Sequence, residues 1–255
     1  MPLTTLKSVE KAIAILDCFS LEKQVLSVGE ISRMTGYTKS NVSRLLATLE
    51  KRGCTEKAEG FGKYRLGYRI YLWGTIIRKQ ISIADIARPV MEKLRDECGE
   101  EVVLYVLEGD RRVAIEIVES IHQIAKVDLI GKSLPLHAGA AGKILLAFLP
   151  EEKRKEIYSR KRLERLTPNT ITDVDRLEKD LTQVRKNGYA VSQGEREPDA
   201  FSVNAPARNA GGQVIACLSI SGPCFRLTEE KLSDYVLKVR AAAQLISGKL
   251  GYRDT

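Results

Sequence analysis

The stretch SVGEISRMTGYTKSNVSRLLATLEKRG, Ser27–Gly53, decides the fold. It opens with a serine and has a glutamate, Glu30, three residues on. That is the pattern of a capping box, in which each side chain accepts from the other's backbone N–H. Val28, Ile31 and Met34 recur at helical spacing and are expected to face inward, and Gly36 is placed to end the helix in a left-handed turn. After only Gly36 and Tyr37, Thr38 can cap a second helix, which Gly53 stops. Two short helices joined by so tight a glycine-containing turn make a helix-turn-helix candidate.

At about 100° per residue, Val42, Leu45, Leu46 and Leu49 gather into one buried stripe on the second helix. Ser40, Arg44 and Lys51 then point away, Asn41, Ser43 and Thr48 flank them, and Lys39 lies at the N-terminal end. Such a face can read a major groove: arginine forks onto guanine, asparagine onto adenine, serine onto base or phosphate. The charge distribution points the same way. Residues 1–80 hold 14 Lys and Arg against 7 Asp and Glu, whereas the remainder holds 27 against 26. A basic module joined to a near-neutral one reads as a nucleic-acid binder attached to something else, although a solvated basic face fits the charge alone equally well.

Upstream, LKSVEKAIAILDCFS spaces Val9, Ala12, Ile13, Leu16 and Phe19 as an amphipathic helix. Downstream, segments 54–58 and 63–66 flank EGFG and read as a hairpin carrying Lys57, Lys63 and Arg65. A basic hairpin after a recognition helix is a wing, placed to touch sugar-phosphate or the minor groove. The candidate DNA-binding set is therefore Ser27, Thr38, Lys39, Ser40, Asn41, Ser43, Arg44, Lys63 and Arg65. YRIYLWGTIIRKQ then resumes helical spacing, as a link between modules whose apolar face suits a second chain.

The rest predicts a helix over SIADIARPVMEKLRDECG and strands at EVVLYVLEG, RRVAIEIVES and QIAKVDLIG. Helices follow at 138–148, from about 151 and at 173–187, then strands at GYAVSQGE, FSVNAPARN and QVIACLSISG and a closing helix over 228–250. Strands bunched at both ends with helices between give an α+β domain on one largely antiparallel sheet. In LSISGP, Ser219 and Ser221 share one strand face, and FSVNAP offers Ser202 and Asn204. These polar groups either line a pocket or face solvent; alternation alone leaves both open.

Several function classes drop out. LHAGAAGK, Leu136–Lys143, imitates a phosphate loop, but His137 stands where the first glycine belongs and Ile144 where a Ser or Thr should hold magnesium. What survives is a helix start with unpaired N–H groups suited to a small anion, or a run of small residues that lets the helix pack closely. Five scattered cysteines without CxxC suit a reduced cytosol, and the short apolar runs exclude a membrane span. MPLTTLKSVEK lacks the apolar segment of a signal peptide, so a cytoplasmic protein is expected. The only two histidines, His122 and His137, stand in no catalytic or metal-binding motif. No catalytic residue, metal or cofactor is expected.

Taken in order, LKSVEKAIAILDCFS, EISRMTGYTKSNVSRLLATLEKRG, LPLHAGAAGKILLAFLP, LTPNTIT, VRKNGYAVSQGE and LSISGP resemble the IclR family of bacterial transcription regulators, over residues 5–252. The resemblance implies an N-terminal winged helix-turn-helix (1–67), a linker helix (68–83) and a GAF-like effector-binding domain (84–255). It implies a regulator that binds a pseudo-palindromic double-stranded operator as a homodimer or homotetramer; a repressor is the expectation, with activation left open by the sequence. It also implies a small-molecule effector, often a carboxylic acid or an aromatic catabolite. By motif position the effector contacts are Ala140, Ala141, Ser192, Ser202, Ser219 and Ser221. Two depart from a common family pattern: an acid usual after GYAV is here Ser192, and a cysteine usual near 202 is here Ser202. A small organic or sugar acid, held by hydroxyls and the helix start, is the expectation.

Overall fold

The computed structural model describes residues 6–20, 23–80, 82–125, 128–160 and 162–253. It divides into two compact units between residues 81 and 82. The expected 68–83 linker straddles that division, and its residue 81 lies outside the described residues.

The first unit runs α1 (Lys7–Leu16), β1 (Leu26–Ser27), α2 (Val28–Thr35), α3 (Lys39–Lys51), β2 (Thr55–Lys57), β3 (Lys63–Leu66) and α4 (Tyr68–Gln80). The capping box at Ser27 is complete, Gly36 ends α2 at φ 73°, and Thr38 caps α3 by accepting from the Asn41 N–H. Ile15, Leu26, Ile31, Val42, Leu46 and Tyr64 form the core beneath an antiparallel sheet ordered β1-β3-β2. The two-residue β1 escapes sequence reading because its pairing with β3 is long-range, Leu26 with Tyr64 and Ser27 with Lys63.

One inward assignment is corrected. Met34 is 47 % exposed and lines an open surface cleft with Val25 and Arg33, because the two turns of α2 bury only Ile31 completely. The buried residue of α1 is Ile15, with Cys18 just beyond the helix, which leaves Val9 and Ile13 exposed.

The second unit runs α5 (Ser82–Cys98), β4 (Glu101–Glu108), β5 (Arg111–Val118), β6 (Ser133–Pro135), α6 (Ala140–Ala147), α7 (Glu151–Arg160), α8 (Val174–Asn187), β7 (Ala190–Gln193), β8 (Ala200–Arg208), β9 (Val214–Pro223) and α9 (Glu229–Lys249). One antiparallel sheet, ordered β6-β5-β4-β9-β8-β7, separates two cores. Strand alternation decides which residues serve each face. Val102, Leu104, Val203, Ala205, Leu218 and Ile220 meet α5 and α9, while Val103, Tyr105 and Cys217 turn toward α6 and α8. Ser202, Asn204, Ser219 and Ser221 alternate with the first set and so fall on the α6 side.

The strand expected at QIAKVDLIG is absent from its described residues, and the third strand is Ser133–Pro135 instead. The physical reason is Asp128. Its N–H donates to Glu101 Oε2 at 2.9 Å, and its carboxylate accepts from Tyr105 Oη and from Arg196. A residue drawn inward by both backbone and side chain breaks the alternation that a strand needs.

Candidate DNA interface and effector cleft

On α3, Lys39, Ser40, Ser43 and Arg44 are exposed and have no intramolecular side-chain partner among the described residues, and Asn41 is half-buried beside them. Ser27 differs from these: its hydroxyl accepts from Glu30 N–H at 3.2 Å and donates to the Glu30 carboxylate at 2.7 Å. The hydroxyl's bond and a second one donated by the Ser27 N–H at 2.8 Å, with the nearby Arg33 and Lys63 charges, hold the Glu30 carboxyl below its ordinary pKa. Ser27 and Thr38 thus build the helix starts that present the reading face. On the wing Lys63 is exposed, while Arg65 pairs across the strands with Glu56 at 2.6 Å. Both partners are wet, so that pair contributes well under 1 kcal/mol and releases Arg65 easily to a phosphate.

In the second unit, Ala141, Ser192, Ser202, Ser219 and Ser221 line one cleft of about 340 Å³, mouth included. Sheet register brings the serines together: Ser192 pairs with Ser202, and Ser202 with Ser221. Ala140 is fully buried in the core and is not part of this lining. Among the described residues no protein acceptor meets the N–H groups of Ala140 and Ala141 at the start of α6.

Three further lining residues carry the electrostatics. Arg112 is 3 % exposed; its Nη1 donates to the carbonyls of Ala138 and Pro135 at 2.8 and 3.0 Å, and its guanidinium lies 5.4 Å from the Tyr105 ring centre. Its Nε is buried with no acceptor, and no carboxylate among the described residues pairs with it. Burial pulls its pKa below the ordinary arginine value. Arg196 reaches the cleft from the β7–β8 connection. Burial disfavours its charge, but Asp128 at 3.1 Å, Tyr105 and Glu197 outweigh that, so its pKa is raised; its Nη1 is also unmet. Burial, then the Asp128 carboxylate, pushes the Tyr105 hydroxyl well up. Ser221 donates to Glu101 at 3.1 Å, and the fully buried Asn204 keeps an unmet Nδ2.

LTPNTIT gains a physical role. Thr167 and Thr170 are buried, and their hydroxyls donate to the carbonyls of Gly194 and Glu195. That clamp fixes the segment bearing Glu195 and Arg196. Glu195 in turn accepts from the Gly139 N–H at 3.1 Å and from Lys143 at 2.6 Å. The glycine-lysine pair of LHAGAAGK therefore serves packing. The buried Lys143 neutralises the part-buried Glu195 carboxylate, and a Cβ on Gly142 would stand 2.1 Å from the Leu136 carbonyl oxygen. Reading the sequence missed Arg112, Arg196, Asp128 and Glu101. For Glu101 and Arg112 the signal was a charged residue in an otherwise apolar β4 or β5, which usually marks a solvent-facing position; Asp128 and Arg196, outside any strand, had no such signal.

A winged helix-turn-helix accompanied by a six-stranded sheet with a buried polar cleft defines a ligand-responsive DNA-binding regulator. Family models agree: IclR helix-turn-helix domain matches residues 8–59, and Bacterial transcriptional regulator IclR C-terminal matches residues 76–248. The chain belongs to the IclR family and is a helix-turn-helix transcriptional regulator. It is 35 % identical to the regulator KipR of Bacillus subtilis, covering 96 % of this chain and 98 % of that one. It is 31 % identical to KdgR of Escherichia coli, over 98 % and 95 %. An IclR homologue of Microbacterium hydrocarbonoxydans, solved with 4-hydroxybenzoate, superimposes with a TM-score of 0.81 at 28 % identity, over 96 % and 99 % of the two chains.

Proposed function

We propose that this regulator is a repressor whose grip on a pseudo-palindromic double-stranded operator is set by a small organic or sugar acid bound in the serine-lined cleft. Arg112 carries the proposal. A buried guanidinium with an unmet Nε and no carboxylate partner is costly, roughly 1–3 kcal/mol for an unmet group, and an anion relieves that cost. Arg196 Nη1 and the free N–H groups at the start of α6 add donors. The hydroxyls of Ser192, Ser202, Ser219 and Ser221 match hydroxyl substituents on the same ligand. The 4-hydroxybenzoate of the related structure combines both kinds of group.

The acting species is a homodimer, or a homotetramer built from two. Leu6 just before α1, Val9 and Ile13 on it, and Tyr68, Tyr71, Leu72, Trp73 and Ile76 on α4 are exposed apolar residues of the kind that a second copy covers. The effector acts by binding one arrangement of the dimer better than another. We read the protein as non-catalytic and cytoplasmic, where its DNA is. No helix among the described residues is long and apolar enough to cross a membrane. Cys217 is fully buried, which pushes its thiol well up, and His137 is engaged with the Glu164 carbonyl at 2.8 Å. Neither is poised as nucleophile or base.

The DNA half is tested on an operator selected by the wild-type protein. Arg44→Ala is expected to weaken binding by ~1–3 kcal/mol and relax one base position, the scale of one bidentate contact. Lys63→Ala weakens binding to every sequence and lowers the salt slope by about 1. Unchanged binding in Arg44→Ala would remove its reading role. The effector half is tested by thermal shift against hydroxy acids, sugar acids, aromatic acids and their neutral amides. An acid at 100 times its dissociation constant adds about 2.7 kcal/mol. It should therefore raise the melt by several degrees, and Ser221→Leu should abolish the rise. Amides that stabilise as well as acids would sink the carboxylate assignment.

A further inference from the structure

The wing ends in an aromatic side chain that nothing in the protein holds. Phe61 is 106 % exposed, more than any other large apolar residue described. A phenyl ring left wholly in water forfeits its burial, and a short polar residue would suit the turn as well. The backbone beneath the ring is, by contrast, fixed. The Gly62 carbonyl accepts from the Val28 N–H at 3.1 Å, tying the tip to the start of α2, and the Lys63 carbonyl accepts from the Ala58 N–H at 3.0 Å. Gly60 and Gly62, at φ 101° and 68°, make the turn that pushes the residue between them outward. Lys57, Lys63 and Arg65 flank it on the two wing strands, all exposed.

We propose that Phe61 is a wedge that enters the minor groove beside the half-site and partly unstacks one base step. The partner is duplex DNA because the chemistry divides that way. Cations on both strands of the wing suit the phosphate walls, and the uncharged ring suits the apolar interior of the stack. Unstacking costs least at pyrimidine–purine steps, so the wedge selects TA or CA at its position without a hydrogen bond to either base. Sequence preference would then extend beyond the bases that α3 reaches.

The test uses the full chain and an operator that the wild-type protein selects from a random pool. Permanganate reactivity of thymines and salt-dependent affinities are measured with TA or AA at the step facing the wing. Wild type is expected to make one flanking thymine reactive and to prefer TA. Phe61→Ala should lose that reactivity and that preference, with about tenfold weaker binding to the TA operator, equivalent to 1.4 kcal/mol. Its salt slope should stay unchanged because no charge is lost. Phe61→Leu should keep part of the wedge. Nothing packs on the ring, so both variants should melt with wild type. Equal affinity for both flanks in wild type, or an alanine variant with undiminished reactivity, overturns the wedge. Arg44→Ala in parallel keeps the readings apart: lost reading there with an inert Phe61→Ala leaves a DNA-binding protein without a wedge.

Discussion

Lys143→Met is expected to destabilise the C-terminal unit by about 3–5 kcal/mol, the range for removing one member of a buried ion pair. At 2–4 °C per kcal/mol for a unit of this size, the melt should fall by roughly 10 °C. Lys143 is 3 % exposed and holds two acids. Its Nζ lies 2.6 Å from Glu195 Oε1 and 2.9 Å from Asp180 Oδ2, the latter a charge contact rather than an aligned hydrogen bond. Methionine keeps the length of the chain and deletes the charge, leaving Glu195 with only the Gly139 N–H. Glu195→Gln in the same background should restore part of the loss, because a neutral amide no longer needs the ammonium. A fall under 2 °C in Lys143→Met would show that water reaches the site and screens it.

That pair marks the boundary of what the sequence makes legible. Helix caps, the turn at Gly36, the wing and the alternation of Ser219 with Leu218 and Ile220 are local patterns, and local physics fixes them. The failed phosphate-loop spacing argued against a nucleotide, but nothing nearby showed that Lys143 answers to Glu195, fifty-two residues on. The cleft is split in the same way. Its serines share a strand face by periodicity, and the resemblance assembles them. Its charges come from distant segments: Arg112 on β5, Asp128 after a broken strand, and Arg196 on a connection clamped by Thr167 and Thr170. Only tertiary contacts give these their partners. Met34 fails for the opposite reason: periodicity put it inside, and a helix of two turns ran out of neighbours.

Arg112→Met is expected to separate stability from sensing. In the absence of effector it should lie within about 1 kcal/mol of wild type, because relief of a desolvated cation with an unmet donor offsets the hydrogen bonds that are lost. The variant loses two hydrogen bonds, to Pro135 and Ala138, and relieves one desolvated cation with an unmet Nε. The effector should detect the change strongly. A carboxylate deprived of a desolvated, hydrogen-bonded cation loses about 2–5 kcal/mol of affinity, a factor of 30 to several thousand. Its thermal shift should vanish, and the operator should stay bound at effector concentrations that release wild type. Arg112→Lys should recover little, since one ammonium cannot serve the two carbonyls and also reach the ligand. If Arg112→Met kept its response to the acid while Ser221→Leu lost it, the carboxylate would sit at the start of α6, on the N–H groups of Ala140 and Ala141, and the unmet Nε of Arg112 would be a cost that the fold bears for its own packing.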